Sequence, residues 1–374
     1  MARLLRNPFL LLMALLHAYI GMRLVPAVAP WAAIVTVAML GVSLWFVPKG
    51  WHVPEGPMAV WRWALLGFFS WLFVLTLARD VSLLAAYFAV PPAAYAAWTR
   101  DSAYGVLVLA PVITAIGTLM ARRHASVRHV DIAIRGLPEA LHGFTIAQIS
   151  DIHVGPTIKR AFVERIVKRV NRLRTDMVAI TGDVVDGPVR KLSPHTAPLA
   201  DLESRHGTYV VTGNHEYYSG VHGWVRELER LGATVLMNEH VVLEHDGACL
   251  TVAGVTDYSA HYFDASHRSD PESALAGSPA DAVKVMLAHQ PRSARASAAA
   301  GANLQLSGHT HGGQFWPWNF FVRLQQPYTA GLHREGDMWV YINRGTGYWG
   351  PPMRFGVPSE ITKIRLVPAS EGRR

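Results

Sequence analysis

No charged residue interrupts the chain between Leu24 and Val47. A run of that length reaches the roughly 20 apolar residues that a helix needs to cross the hydrocarbon core of a bilayer. It has companions. Pro8–Met22 is apolar apart from His17, Trp63 to about Val90 is broken by Arg79 and Asp80, and Ala103–Ala121 carries no charge. Four membrane spans are predicted, the third being the least sharply bounded. Arg3, Arg6 and the small-residue motif Ala27-Val28-Ala29 give the first span some signal-peptide character, but Arg23 interrupts before that motif and Pro30 follows it. Arg79 and Asp80 are adjacent, so they face different parts of a helix surface. Either they mark the interface end of the third span or each requires its own partner.

Charge follows the same division. Through Arg123, nine bases (Arg3, Arg6, Arg23, Lys49, Arg62, Arg79, Arg100, Arg122, Arg123) face three acids (Glu55, Asp80, Asp101), which leaves about +6 of the formal +8 in this third of the chain. The remainder is nearly neutral. The bases flank apolar runs and do not cluster on a folded surface, which argues against a nucleic-acid partner and for a lipid bilayer. Arg3 and Arg6 precede the first span, while Arg122, Arg123 and Arg128 follow the last. With an even number of spans, both basic ends and the following domain are expected to face the cytoplasm from a multi-pass position in the inner membrane. The single cysteine, Cys249, excludes an intrachain disulfide framework and a thiolate metal cluster. We therefore expect a transmembrane region over residues 1–123, a linker over 124–138, and a soluble domain over 139–374.

From Phe144 onward, short apolar runs end in polar or glycine residues. Phe144–Ile149 leads into Asp151, Met177–Ile180 into Gly182-Asp183, and Tyr209–Val211 into Gly213-Asn214-His215. Between the first two, Ile158–Leu173 places Ile158, Phe162, Ile166, Val170 and Leu173 on one face of an amphipathic helix. Strand–helix repetition predicts α/β layers, with ligands at the carboxyl ends of the strands. The later runs Val241–Glu244, Leu250–Val255, Val283–His289, Asn303–Ser307, Met338–Ile342 and Ile361–Val367 have few helical stretches between them and predict a second, more antiparallel sheet. Arg292–Ala302, rich in alanine, is expected to form a short helix.

The strand ends share a chemistry. They carry Asp151-Ile152-His153, Gly182-Asp183-Val184-Val185-Asp186, Gly213-Asn214-His215-Glu216, His289, and Gly308-His309-Thr310-His311-Gly312-Gly313-Gln314. Each block alone is weak. Together Asp, Asn and His supply the mixed oxygen and nitrogen donors that manganese, iron or zinc accept. Residues two apart in an extended segment point to one side, so Asp151 with His153, and His309 with His311, can converge on one pocket.

With these blocks in this order, the sequence resembles the calcineurin-like metallophosphoesterases over roughly residues 139–368. The run from Asn343-Arg344-Gly345-Thr346-Gly347 to Met353-Arg354 is similar to that of a membrane-anchored bacterial branch, transmembrane proteins with a metallophosphoesterase domain. The resemblance implies an α-helical transmembrane bundle followed by a four-layer α/β/β/α sandwich with two mixed sheets. It implies two divalent ions, the first held by Asp151, His153, Asp183 and His311, the second by Asp183, Asn214, His289 and His309. It further implies that His215 protonates the leaving oxygen or stabilises the transition state, with Asp186 orienting it; a carboxylate partner raises an imidazole pKa, which suits a general acid.

Serine/threonine phosphatases of this superfamily carry arginines where this chain has Gly187 and Thr212. Without those guanidinium clamps, phosphoprotein recognition in that style is not expected, and phosphodiesters and pyrophosphates remain. Phe315-Trp316-Pro317-Trp318-Asn319-Phe320-Phe321-Val322 follows the last candidate ligands, either as a loop packed on its own core or as an apolar platform for lipid. The expected substrate is a phosphate-containing small or lipid-linked molecule, with UDP-2,3-diacylglucosamine hydrolysis in lipid A synthesis as one specific expectation from the resemblance. A non-catalytic membrane scaffold that keeps the fold is the alternative, but such a chain should have lost ligands. No protein partner can be inferred.

Overall fold

The computed structural model describes residues 8–28, 34, 37, 38, 41 and 58–369. Most of the expected second span, Leu24–Val47, lies outside the described residues. The chain divides into two compact units, one running through Met120 and also taking in Gly350–Met353, the other formed by Ala121–Trp349 and the residues from Arg354 onward.

In the first unit, α1 (Pro8–Val28), α2 (Met58–Ala89) and α3 (Pro92–Arg122) are each long and apolar enough to cross a membrane. Polar groups in such helices need internal partners. Asp80 accepts from Arg23 Nε at 2.8 Å and Tyr19 OH at 2.7 Å, both on α1. Arg79, buried, donates to the Thr99 carbonyl at 2.7 Å and Ser102 Oγ at 3.0 Å, both on α3. Arg79 also donates to the Arg23 carbonyl of α1 at 3.3 Å, so it bridges both neighbours while Asp80 serves α1, and α2 continues past them to Ala89.

The second unit opens with β1 (Ser126–Ile134), then β2 (Thr145–Ile149), α4 (Arg160–Asn171), β3 (Met177–Ile180), α5 (Val189–Thr196), β4 (Thr208–Val210), α6 (Asn214–Ser219), α7 (Val221–Arg230) and β5 (Thr234–Val235). It continues with β6 (Glu239–His245), β7 (Ala248–Gly254), α8 (Pro271–Leu275), β8 (Val283–Leu287), α9 (Ala294–Ala299), β9 (Leu304–Ser307), β10 (Gly331–Glu335), β11 (Met338–Ile342) and β12 (Glu360–Pro368). The strands form two six-stranded mixed sheets, ordered β1-β12-β2-β3-β4-β5 and β10-β11-β9-β8-β7-β6.

Period-two alternation sorts each strand between layers. On β3, Met177 and Ala179 face the core between the sheets, whereas Val178 and Ile180 pack with Val163, Ile166 and Val167 of α4 and Trp224 of α7. In the other sheet, Val283, Val285 and Leu287 of β8 with Leu304 and Leu306 of β9 fill the same central core, and Met286 turns outward to Ala294 of α9. The result is the four-layer α/β/β/α sandwich.

Two strands, β1 and β12, lie elsewhere than the sequence pattern suggested. The segment expected to be a linker contains β1, paired in parallel with β12 from Ser126–Glu360 to Ile134–Pro368. The second sheet is the more antiparallel of the two, with antiparallel pairs at its β6 and β10 edges against the single β12–β2 pair of the first, although its interior, β7 with β8, β8 with β9 and β9 with β11, is parallel. The last apolar run, β12, belongs to the first sheet, antiparallel to β2.

Candidate metal centre

Because β2, β3 and β4 are parallel, their carboxyl ends deliver Asp151, Asp183 and Asn214 to one edge of the first sheet. Parallel β8 and β9 deliver His289, His309 and His311 from the second. The loops are tight. Asp151, His153, Asp183, His309 and His311 all adopt left-handed backbone, with φ between 50° and 68°. Non-glycine residues seldom do so, and such strain clusters at functional sites. Two glycines permit the close approach: a Cβ on Gly213 would collide with Asp183 Oδ1, and one on Gly308 with Ser150 Oγ and Asp151 Oδ2.

The side chains meet in two groups. In the first, His153 Nε2 and His311 Nε2 are 3.0 Å apart, and His311 Nε2 is 3.4 Å from Asp151 Oδ1. In the second, His289 Nε2 is 3.1 Å from Asp183 Oδ2 and 3.2 Å from His309 Nδ1. Asp183 joins them, since its Oδ2 is also 3.8 Å from His153 Nε2. The arrangement fits divalent cations. Facing imidazole nitrogens at these distances have at most one proton between them, and Asn214 Oδ1 is buried with no donor among the described residues. The donors are the nitrogen and carboxylate or amide oxygen types that manganese, iron or zinc take.

Burial, reinforced by His289, lowers His309 to about 3, and burial with His153 and Arg354 takes His311 well below its ordinary value. Both rings are therefore neutral near pH 7, the form in which histidine binds metal. For His289, burial acts downward, but Asp183 overrides it and raises the ring well above its ordinary value. Asp183 itself is held well below the usual carboxylate range, because His289 and His215 outweigh the upward effect of burial. His289 and Asp183 thus hold a proton that a divalent cation would displace.

His215 stands beside these groups. Its Nδ1 donates to Asp186 Oδ1 at 2.6 Å and its Nε2 lies 4.0 Å from Asp183 Oδ2. Burial lowers the ring's pKa, but Asp183 and Asp186 override this and raise it to about 9. Cations beside Asp183 would moderate that rise. Asp186 Oδ1 also lies 2.8 Å from His153 Nδ1, so one carboxylate orients two rings. Burial alone would raise Asp186, yet His153 and His215 bring it down to about 2.

The structure brings together Asp151, His153, Asp183, His289, His309 and His311, with His215 and Asp186 adjoining, and places Asn214 at the head of α6 next to His215. It adds two that sequence reasoning missed. Glu216 is buried and accepts the backbone N–H of Val184 at 2.7 Å, Gly213 at 2.7 Å, Asp183 at 3.0 Å and Val185 at 3.3 Å. Burial, then Asp183, raises it to about 7, against the opposing hydrogen bonds. Arg354, fully buried, donates to the carbonyls of Gly347 at 2.6 Å, Arg344 at 2.7 Å, His311 at 3.2 Å and Gly345 at 3.3 Å, and to His311 Nδ1 at 3.2 Å. Position within the quoted blocks was the only available signal for either.

This sandwich and donor set define a metal-binding phosphoesterase fold, and residues 144–313 match the family described as calcineurin-like phosphoesterase. The chain is 31% identical over 223 residues to an uncharacterized metallophosphoesterase of Aquifex aeolicus, covering 59% of this chain and 84% of that protein. Over 276 residues it is 39% identical to a transmembrane protein with metallophosphoesterase domain of Danio rerio, covering 70% of this chain and 63% of that protein. A Helicobacter pylori uncharacterized metallophosphoesterase is 40% identical over 228 residues, covering 60% of each chain. The chain thus spans 63% and 60% of the length of the latter two relatives. It belongs to the calcineurin-like metallophosphoesterases.

Proposed function

We propose that the chain is a membrane-anchored, two-metal phosphoesterase that cleaves a phosphodiester or pyrophosphate in a lipid-linked substrate of the UDP-2,3-diacylglucosamine kind. The observation that carries this reading is the placement of Asp183, whose Oδ2 lies 3.1 Å from His289 in one donor group and 3.8 Å from His153 in the other. Asp151, His153, Asp183 and His311 would hold one ion, and Asp183, Asn214, His289 and His309 the second. Divalent ions held there would supply Lewis acidity toward phosphoryl oxygens and neutralise the charge that builds up on them.

The chain's own groups do the remaining work. Asp186 fixes the His215 ring through Nδ1, so that a proton on Nε2 is available to the leaving oxygen. Tyr218 and Trp349 pack edge-on to His215, with ring centroids 5.1 Å and 5.7 Å away. Phe320, Phe321 and Leu324 are exposed just past the histidine loop, which supports an apolar substrate portion or a lipid surface there. Phe315, at the start of that run, is buried.

Turnover by purified protein with added manganese tests the reading on bis-p-nitrophenyl phosphate, p-nitrophenyl phosphate and UDP-2,3-diacylglucosamine. We expect the diester and the nucleotide lipid to be cleaved in preference to the monoester; metal-loaded protein inert toward all three would overturn it. Reporter fusions after Arg128 test the cytoplasmic placement. Fluorescence from a green fluorescent protein fusion is expected, and alkaline phosphatase activity without fluorescence would remove nucleotide lipids from reach.

A further inference from the structure

Another set of donors lies apart from the nine residues already assigned. Gly220, with φ 96°, ends α6 and caps the start of α7, so that His222 falls in the first turn of α7. Across from it, Asp264 and His267 belong to a loop with two short 3-10 turns that follows β7. Donor atoms of His222, Asp264 and His267 all lie within 4.8 Å of one another.

Two of the three donors are oriented by a second contact. Asp264 Oδ1 is occupied by Ser266, accepting its N–H at 2.9 Å and its Oγ–H at 2.5 Å. That leaves Oδ2, which stands 3.8 Å from His222 Nε2 and 3.9 Å from His267 Nε2. His267 Nδ1 is 3.0 Å from Tyr217 OH. With the ring hydrogen on Nδ1 and donated to that phenol, Nε2 keeps its lone pair, an outer contact of the kind that orients histidine ligands.

The spacing argues against plain ion pairing. A carboxylate free to pair with one imidazole would close to hydrogen-bond distance, yet this oxygen stands almost equally far from both rings. Donors around a tetrahedral ion with bonds of about 2.0–2.1 Å lie about 3.3 Å apart, so small movements of side chains at an accessible rim close the set. A cavity of about 310 Å³ adjoins, with Tyr217, His222, Phe263 and Asp264 in its lining, and leaves room for a water or anion as fourth ligand.

We propose that His222, Asp264 and His267 form a third, peripheral divalent-metal site of zinc type, which pins the loop carrying Asp264 and His267 to the helices that begin at Asn214. Two imidazoles and one carboxylate with an open position are a zinc donor set. Zinc there stiffens α6, whose first two residues are Asn214 and His215, without touching either group.

Zinc content and thermal stability of the full chain test this, measured after saturation and dialysis for the wild type, His222→Ala and His267→Ala. Each variant should bind one zinc fewer per chain than the wild type and lose part of the zinc-induced rise in Tm. His222 is largely exposed, so its alanine variant is expected to fold. His222→Cys, which keeps a zinc ligand, should recover the missing equivalent, a rescue that a purely structural role for His222 would not give. Equal zinc content in the wild type and both alanine variants would overturn the proposal. The readout is a difference between proteins, so it holds even if the binuclear centre takes no zinc, in which case the counts become one and zero.

Discussion

At the ends of β2, β3 and β4 stand Asp151, Asp183 and Asn214, oxygen donors with His153 beside them, whereas β8 and β9 run into His289, His309 and His311, all imidazoles. The supporting groups are opposed in the same sense. On the oxygen side the carboxylate of Glu216 gathers four backbone N–H groups, and on the nitrogen side the guanidinium of Arg354 gathers backbone carbonyls. The difference teaches that the two sheets contribute unequally. The first brings the negative charge that attracts a cation, and the second brings the imidazole nitrogens that fix its position. The first edge has one imidazole among its oxygen donors and the second offers imidazoles alone, so two mixed donor groups need both edges.

The largest expected effect follows from removing charge where both groups depend on it. Asp183→Asn keeps the shape of the side chain and its contact with the His215 N–H, but halves the carboxylate charge available from Asp151 and Asp183. We expect loss of detectable hydrolysis, about 10⁴-fold or more, together with loss of bound metal and an unchanged circular dichroism spectrum. Near-normal turnover with unchanged metal content would break the assignment of Asp183 to both ions.

His215→Ala comes next. It removes the proton donor and leaves both donor groups in place, so metal content should hold while kcat falls by about 10²–10⁴-fold for a poor leaving group. An activated p-nitrophenolate leaving group needs less protonation and should suffer less. Equal losses for the two would mean that His215 positions the site and does not donate a proton.

How much of this was readable follows from where each residue sits. Asp151, Asp183, Asn214, His289 and His309 stand directly past apolar runs, so pattern alone put them at strand ends and chemistry put them together. Glu216 was invisible because an acid in the first turn of a helix has an ordinary reading as a helix-dipole partner. Its burial beneath four N–H groups is a tertiary fact. Arg354 was hidden differently, since nothing in a sequence marks one arginine as fully buried. β1 passed for a linker because only Ile132, Ile134 and a few half-buried side chains alternate with the charged Arg128 and Asp131. The parallel interior of the second sheet was hard to read because the crossover helix Pro271–Leu275 is too brief for a helical period to register, and the alanine-rich helix Ala294–Ala299, although legible, does not by itself set strand direction.

Glu216→Gln sharpens the contrast at smaller scale. An amide offers one acceptor oxygen and presents hydrogens where the carboxylate faced N–H groups, so the loops bearing Asp183 and Gly213 lose half their anchor. Metal affinity, measured by chelator competition, should fall by about 10–100-fold, as for other groups that orient ligands. An unchanged affinity would show that the strained backbone at Asp183 holds itself.

Arg354→Lys should have the smallest effect, and on a different quantity. Lysine keeps the positive charge but carries its donors on one nitrogen, so it cannot span carbonyls that Arg354 reaches with two, Arg344 at 2.7 Å through one and Gly347 at 2.6 Å through the other. Each buried carbonyl left without a donor costs about 1–3 kcal/mol, so unfolding free energy in denaturant should drop by about that amount or somewhat more. Metal affinity should change only about 2–5-fold, because Arg354 touches one candidate ligand, His311, and does so from behind the ring, at Nδ1. Glu216, by contrast, holds the loop of the residue that both donor groups share. If Arg354→Lys lowered metal affinity as far as Glu216→Gln does while leaving stability intact, the guanidinium would be tuning the His311 ring and not scaffolding its loop, and the proposed inequality between the two sheets would fail.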